Sequence, residues 1–212
     1  MNNLTNNLTN ILNLLSNKFS SNKGISMVSK EHIIFLTNYI ISYKCNKMVE
    51  IGVAKGGCLA FAALANPNMD IYGFDSWEGM PKITDEDDQS HKVYENIAWS
   101  SIEDVYNTFK LVNSSMKNVK LIKGFIENTI DNELLNLKNI DILRLDVDWY
   151  KATKFSLNKL YDNVVTNGLI IIDDYGFNIG CKRAVDEFRT NNNITKPLYR
   201  DGNSISIVFW FK

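Results

Sequence analysis

The sequence predicts an α/β fold: a mostly parallel seven-stranded sheet, helices on both faces, and an antiparallel hairpin at the end of the chain. Three observations predict it. From residue 29 onward, short apolar runs alternate with segments at helical spacing, the pattern of strands joined by crossover helices. The run "LIII" at 169–172 is apolar without alternation, as in a parallel strand covered on both faces. The last stretch, "KPLYRDGNSISIVFWFK", holds two strand-like runs around Asp201-Gly202-Asn203, a hairpin signal.

Each element has its own local reason. Leu4, Leu8, Ile11, Leu12 and Leu15 fall on one helical face of an Asn-rich opening, so residues 1–28 read as a helical extension that docks or joins two copies in a homodimer. A second helix runs from Ser29, a plausible N-cap, through "EHIIFLTNYIISY". "KMVEIGVAKGGCLAFAALA" is a strand, a glycine-containing turn and an Ala-rich helix, and "MDIYGFDSW" is a strand ending at Asp75. Residues 78–100 lack a clean period and carry an acidic run, so they read as a long loop and a probable active-site lid. The helix "SIEDVYNTFKLV" precedes the strand "NVKLIKGFI", and a short helix at "DNELLNL" precedes "IDILRLDVDW". The helix "KATKFSLNKLYDNV" leads through Asn167-Gly168 into "LIIIDDY", and "CKRAVDEFRTN" is the last helix. Five crossover-connected strands followed by two antiparallel ones form the layout of a class I, Rossmann-like methyltransferase sheet.

Composition narrows the classes. With 212 residues, 45% of them hydrophobic, one single domain has enough apolar material for a full core. A formal charge of −1 excludes the basic footprint of a nucleic-acid binder. The three cysteines, Cys45, Cys58 and Cys181, are scattered and lack CxxC spacing, against a disulfide framework or a structural zinc site. No apolar run approaches the ~18 residues of a membrane span, and the start lacks a signal-peptide pattern, so the expectation is a cytoplasmic protein without a membrane partner. The sequons at Asn3 and Asn7 then read as a short Asn-rich repeat.

The candidate chemistry gathers at predicted strand ends. In an open α/β sheet, ligands bind outside the carboxyl ends of the strands. There, Gly52, Gly56 and Gly57 let backbone approach a ligand, and Glu50 could accept bonds from an ammonium or a sugar hydroxyl. The spacing is GxxxGG, which speaks against a nicotinamide-dependent oxidoreductase. Asp75 is placed to accept bonds from a ribose diol, or else to cap the segment starting at Ser76 and Trp77. Asp146 and Asp148 fall on one side of the fourth strand by alternation, and Asp173 and Asp174 end the fifth. Four carboxylates at one rim repel unless a cation sits among them, and an oxygen-only set selects Mg²⁺ or Ca²⁺, with Mn²⁺ a further option. The alternative reading is helix caps and surface acids. His32 reads as structural, His91 as a loop residue within reach of substrate, and Asp85, Glu86, Asp87 and Asp88 as a solvated loop face.

The segments "VEIGVAKGG", "YGFDSWEGMP", "EDVYNTF", "VKLIKGFIENTI", "LRLDVDWYKAT" and "GLIIIDDYGFNIGCKRAVDEFR" occur in this order between Met48 and Arg189. With them the chain resembles the macrocin O-methyltransferase (TylF/MycF) family of S-adenosylmethionine-dependent, metal-dependent sugar O-methyltransferases. The resemblance implies S-adenosyl-L-methionine and Mg²⁺ as cofactors. It implies Asp146, Asp173 and Asp174 as metal ligands, and Asp148 as general base. It implies Glu50, Gly52, Gly56, Asp75, Ser76 and Asp146 as cofactor contacts, with Phe125 and Ile126 near the adenine. Two departures stand out: Val147 replaces a small residue between the two acids, and Lys151 replaces an acid. Lys151 is therefore a second candidate base, in the manner of catechol-type relatives, or a partner for an acidic substrate group. The expected activity is methyl transfer to a hydroxyl of a sugar-containing small molecule or glycan. The alternatives are a catechol-type acceptor, an oxidoreductase, or an idle binding module.

Overall fold

The computed structural model describes residues 2–19, 24–202 and 204–212, with only the backbone of residues 2–7 and 16. The side chains of the sequons at Asn3 and Asn7, and the hairpin's Asn203, lie outside the described residues. Seven strands form one sheet: β1 (Lys47–Ile51), β2 (Asp70–Asp75), β3 (Val119–Lys123), β4 (Ile140–Leu145), β5 (Val164–Ile172), β6 (Tyr199–Arg200) and β7 (Val208–Phe211). Their spatial order is β3-β2-β1-β4-β5-β7-β6. The first five pair parallel, and β7 runs antiparallel to both β5 and β6. The strand order reverses between β1 and β4, which opens a crevice beyond their carboxyl ends.

Helices α1 (Asn2–Leu14), α2 (Lys30–Tyr43), α3 (Gly57–Ala65) and α4 (Ile102–Leu111) share one core with Met48, Ile71, Ile142 and Leu169 of the sheet. The short α5 (Ile126–Thr129), α6 (Tyr150–Leu160) and α7 (Ile179–Asn191) share a second core with Val49, Leu143 and Ile170. Neighbouring residues of one strand thus serve opposite faces, the period-two rule acting on a doubly covered sheet. Ser29 caps α2 by accepting from the His32 N–H, and Ser101 forms a capping box with Asp104 on α4.

Four local expectations need correction. "DNELLNL" forms only a 3₁₀ turn at Ile130–Asn132, and the short α-helix comes earlier, as α5. Asn167 and Gly168 lie inside β5, where Asn167 takes φ 64° and the pairing shifts register between Ile140 and Ile142; asparagine tolerates that left-handed backbone in a bulge. β4 ends at Leu145, before the acids. The hairpin connection extends to Ile207, so the last strand begins four residues after Ser204. Among the described residues, no helix is long and apolar enough to cross a membrane.

Of the apolar stripe expected to dock or to join two copies, Leu8 and Leu12 dock within the chain, buried in the core shared with α3. Leu12→Ala should therefore lower unfolding free energy by about 2 kcal/mol or more without altering the sedimentation coefficient. A change in assembly with unaltered stability would show instead that the stripe serves a partner.

Candidate active site

The site begins with a turn that only glycine can make. Gly52 follows β1 at φ +87°, and a Cβ built there would sit 1.7 Å from the Asp146 carbonyl oxygen. Hydrogen bonds continue the sheet past its strands: Gly52 N–H to Phe74 O at 2.8 Å, Asp146 N–H to Ile51 O at 2.8 Å, and Asp173 N–H to Leu145 O at 2.9 Å. The rim therefore has the rigidity of the sheet. Asp75 pins the turn from the side: its Oδ2 accepts from the Val53 and Ala54 N–H groups, and its Oδ1 from that of Trp77. Gly56 has a different purpose, because a Cβ there would meet the Val105 side chain 2.7 Å away; it lets α3 approach α4.

A cavity of about 650 Å³ opens over this rim. Its walls include Gly52, Asp75, Ser76, Trp77, Phe125 and Ile126, and with them Asp146, Asp148, Trp149, His91, Phe177 and Asn178; Asp173 and Asp174 are not among them. The expected cofactor residues Gly52, Asp75, Ser76, Phe125, Ile126 and Asp146 thus share one cavity. Glu50 and Gly56 are not among its walls. Lys151 is not among them either and lies exposed in the first turn of α6.

Arg144, fully buried in β4, organises the acids. Its Nη1 donates to Glu50 Oε1 at 2.6 Å and to Asp146 Oδ2 at 2.9 Å, its Nη2 donates to Asp173 Oδ2, and its Nε to His32 Nε2 at 3.2 Å. Because His32 Nε2 accepts, the ring proton sits on Nδ1 and is donated to Asp201 Oδ2 at 2.6 Å. Burial lowers the His32 pKa, so the ring is neutral. His32 is structural, as expected, but it ties α2 and the hairpin loop to the site.

The carboxylates of Asp146, Asp148 and Asp174 each offer an oxygen within 4.8 Å of the others. Asp148 reaches this cluster by a left-handed turn at φ 58°, not by strand alternation. Its N–H bonds Asp174 Oδ2 at 3.2 Å and its Oδ1 accepts from Asn178 Nδ2 at 2.8 Å. Asp173, expected beside Asp146 and Asp174, turns its Oδ2 to Arg144 instead. Burial, reinforced by Asp146, raises the Asp148 pKa to about 7. Burial and then Asp146 push Asp173 to about 8, against the pull of Arg144. Asp174 stands well above the carboxylate range, through burial and then Asp148. Burial also lifts Glu50 to about 7. Oxygen-only donors whose mutual repulsion is unrelieved fit a hard divalent cation, and the Gly52 cradle fits close approach of a ligand.

Sequence reasoning missed three contributors. An arginine inside an apolar strand, "ILRLD", was a legible signal, since a buried charge demands partners. Asn178 and Asp87 had none. Asp87, expected on a solvated face, is buried: its Oδ1 caps α6 at the Tyr150 N–H (2.8 Å), and its Oδ2 holds Thr84. With the bond from Trp149 Nε1 to Pro81 O, it fastens the long loop over the cavity.

The strand order, terminal hairpin and rim cavity define a Rossmann-like class I methyltransferase fold. The chain belongs to the macrocin-O-methyltransferase (TylF) family, whose model matches residues 22–212. It is similar to the demethyldecarbamoylnovobiocin O-methyltransferase of Streptomyces niveus, at 27% identity over 77% of this chain and 64% of that protein. It is also similar to the mycinamicin III 3''-O-methyltransferase of Micromonospora griseorubida, at 29% identity over 71% of this chain and 63% of that one. The chain thus spans a little under two thirds of these relatives' length. The solved structure of the O-methyltransferase NovP superposes with a TM-score of 0.83 at 19% identity, covering 99% of both chains.

The raised acids make metal-free stability depend on pH. A carboxyl whose folded pKa exceeds its unfolded value contributes stability that is present below the unfolded pKa, near 4, and lost as pH rises through the folded pKa, here about 7 for Asp148. Asparagine mimics the protonated form. In chelator, Asp148→Asn should match the parent's thermal midpoint at about pH 4 and below, and exceed it by roughly 2–4 °C or more at pH 8. Equal shifts at both pH values would remove Asp148 from this balance.

Proposed function

We propose that this protein transfers a methyl group from S-adenosyl-L-methionine to a sugar hydroxyl with a bound Mg²⁺. The observation that carries the reading is the acid cluster on the rim beside the Gly52 turn, two of whose members, Asp146 and Asp148, line one cavity with the cofactor candidates. Family membership and relatives named as O-methyltransferases of glycosylated compounds support it. Asp146 and Asp174 would hold the metal, with Asp173 anchored beside them through Oδ2 to Arg144. Bound there, Mg²⁺ supplies the positive charge that lowers the pKa of a chelated hydroxyl.

The protein's own groups do the rest. The Gly52 turn and the Asp75 carboxylate receive the nucleoside, with Phe125 and Ile126 as apolar walls. Asn178 and the left-handed turn aim Asp148 into the cavity. As the acceptor oxygen bonds to carbon and the carbon–sulfur bond breaks, Asp148 takes the hydroxyl proton. Lys151, exposed and off the cavity wall, is the weaker candidate base. The free, buried thiols of Cys45, Cys58 and Cys181 suit a reducing cytoplasm.

Calorimetry with S-adenosylhomocysteine, and methyl transfer to a glycoside panel with and without chelator, test the reading. Asp146→Asn and Asp174→Asn should abolish metal-dependent turnover. Asp148→Asn should lower kcat by about 10²- to 10⁴-fold while leaving S-adenosylhomocysteine affinity unchanged. No binding of S-adenosylhomocysteine, or parental turnover by the Asp146 and Asp174 variants, would overturn it.

A further inference from the structure

The acid end of the cavity continues outward into a run of aromatic rings that neither the metal nor the cofactor needs. His91 lies 5.8 Å from the Trp149 ring, 5.6 Å from Tyr94, and stacks on Phe177 at 6.0 Å and 15°. Tyr94 in turn meets Trp99 at 6.3 Å. All five line the cavity. The run starts at the reacting groups, because Trp149 follows Asp148 and Phe177 precedes the Asn178 that holds it. It ends in solvent: Phe177 is 67% exposed, Trp99 41% and Tyr94 40%. Trp149 is fixed by its bond to Pro81 O, and Asp87 fastens the loop that carries His91 and Tyr94. Apolar surface held open to water on a braced loop marks a binding surface.

A second observation concerns charge. Among the described residues, neither a lysine nor an arginine lines this cavity, whose ionisable walls are Asp75, His91, Glu127, Asp146 and Asp148. Apart from a metal at the acids, such walls give a diphosphate no lysine or arginine to pair with. A group attached to a sugar held at Asp148 meets the rings next, because they share its cavity.

We propose that the rings of His91, Tyr94, Trp99, Trp149 and Phe177 form a subsite for a planar, uncharged aglycone, so that the acceptor is an aryl-type glycoside and not a nucleotide-linked sugar. This rests on the methyl-transfer reading above and adds to it the class of acceptor. The rings receive the aglycone face-on, and the glycosidic bond directs the sugar inward to Asp148. Specificity lies in a surface that rewards stacking and gives a phosphate nothing to pair with.

Calorimetry on the complete protein with S-adenosylhomocysteine and Mg²⁺ decides it, using 4-nitrophenyl, methyl and thymidine-diphosphate derivatives of the same set of hexoses and 6-deoxyhexoses. S-adenosylhomocysteine binding is measured first; its absence overturns the methyl-transfer reading and this one together. Given that binding, a nitrophenyl glycoside should bind on the order of tenfold tighter than its methyl counterpart, and tighter than the nucleotide sugar. Phe177→Ala and Trp99→Ala should each erase most of that preference while leaving methyl glycoside and S-adenosylhomocysteine affinities unchanged. Equal affinities for nitrophenyl and methyl glycosides, a nucleotide sugar binding tightest, or no glycoside binding at all would overturn the aglycone subsite while leaving the cofactor reading intact.

Discussion

One buried guanidinium holds this site together. Arg144 sits in the middle of a parallel sheet among the apolar Ile140, Ile142, Leu143 and Leu145 of β4, and a lone charge there would cost several kcal/mol of desolvation. Glu50, Asp146 and Asp173 balance it from three neighbouring strand ends, and His32 accepts the Nε–H. The fork geometry of arginine makes this a positional constraint as much as an electrostatic one. It joins β1, β4 and β5 at their carboxyl ends and, through His32 and Asp201, the N-terminal helix α2 and the hairpin loop.

The same arrangement leaves an imbalance that is the site's chemical resource. Glu50, Asp146, Asp148, Asp173 and Asp174 all crowd one rim, and the raised pKa values of Glu50, Asp148, Asp173 and Asp174 record that one guanidinium cannot neutralise the group. A divalent cation bound there would restore ionisation across the cluster. The glycine turn then matters for a geometric reason: Gly52 lies against the Asp146 carbonyl, so a ligand on the turn lies beside the acids by construction. In the proposed reaction, the sheet itself would bring nucleophile activation and methyl donor together.

Much of this was legible because it is local. "LIIIDDY" announces a doubly covered strand that ends in acids, and "VEIGVAKGG" announces a turn that lets backbone approach a ligand. The parallel pairing of the first five strands follows from crossover connections once the alternation of strands and helices is read. What was not legible depends on backbone details or distant contacts. Asp148 looked like an alternation partner of Asp146, but β4 stops at Leu145 and a left-handed residue redirects the chain. Asp87 looked like part of a solvated acidic run; its partner, the Tyr150 N–H, is 63 residues away and no spacing rule reveals it. Glu50 was placed at the strand end correctly, yet its side chain faces Arg144 beneath the turn and not the cavity. Arg144 itself was in plain view, and the rule that a buried charge needs partners would have found its role.

Anomalous scattering at the manganese edge, from crystals grown with S-adenosylhomocysteine and Mn²⁺ as a stand-in for Mg²⁺, tests the central claim most directly. The account predicts one strong peak bounded by the carboxylates of Asp146 and Asp174, with Asp173 still paired to Arg144. A peak elsewhere, or none in crystals that hold S-adenosylhomocysteine, would contradict it.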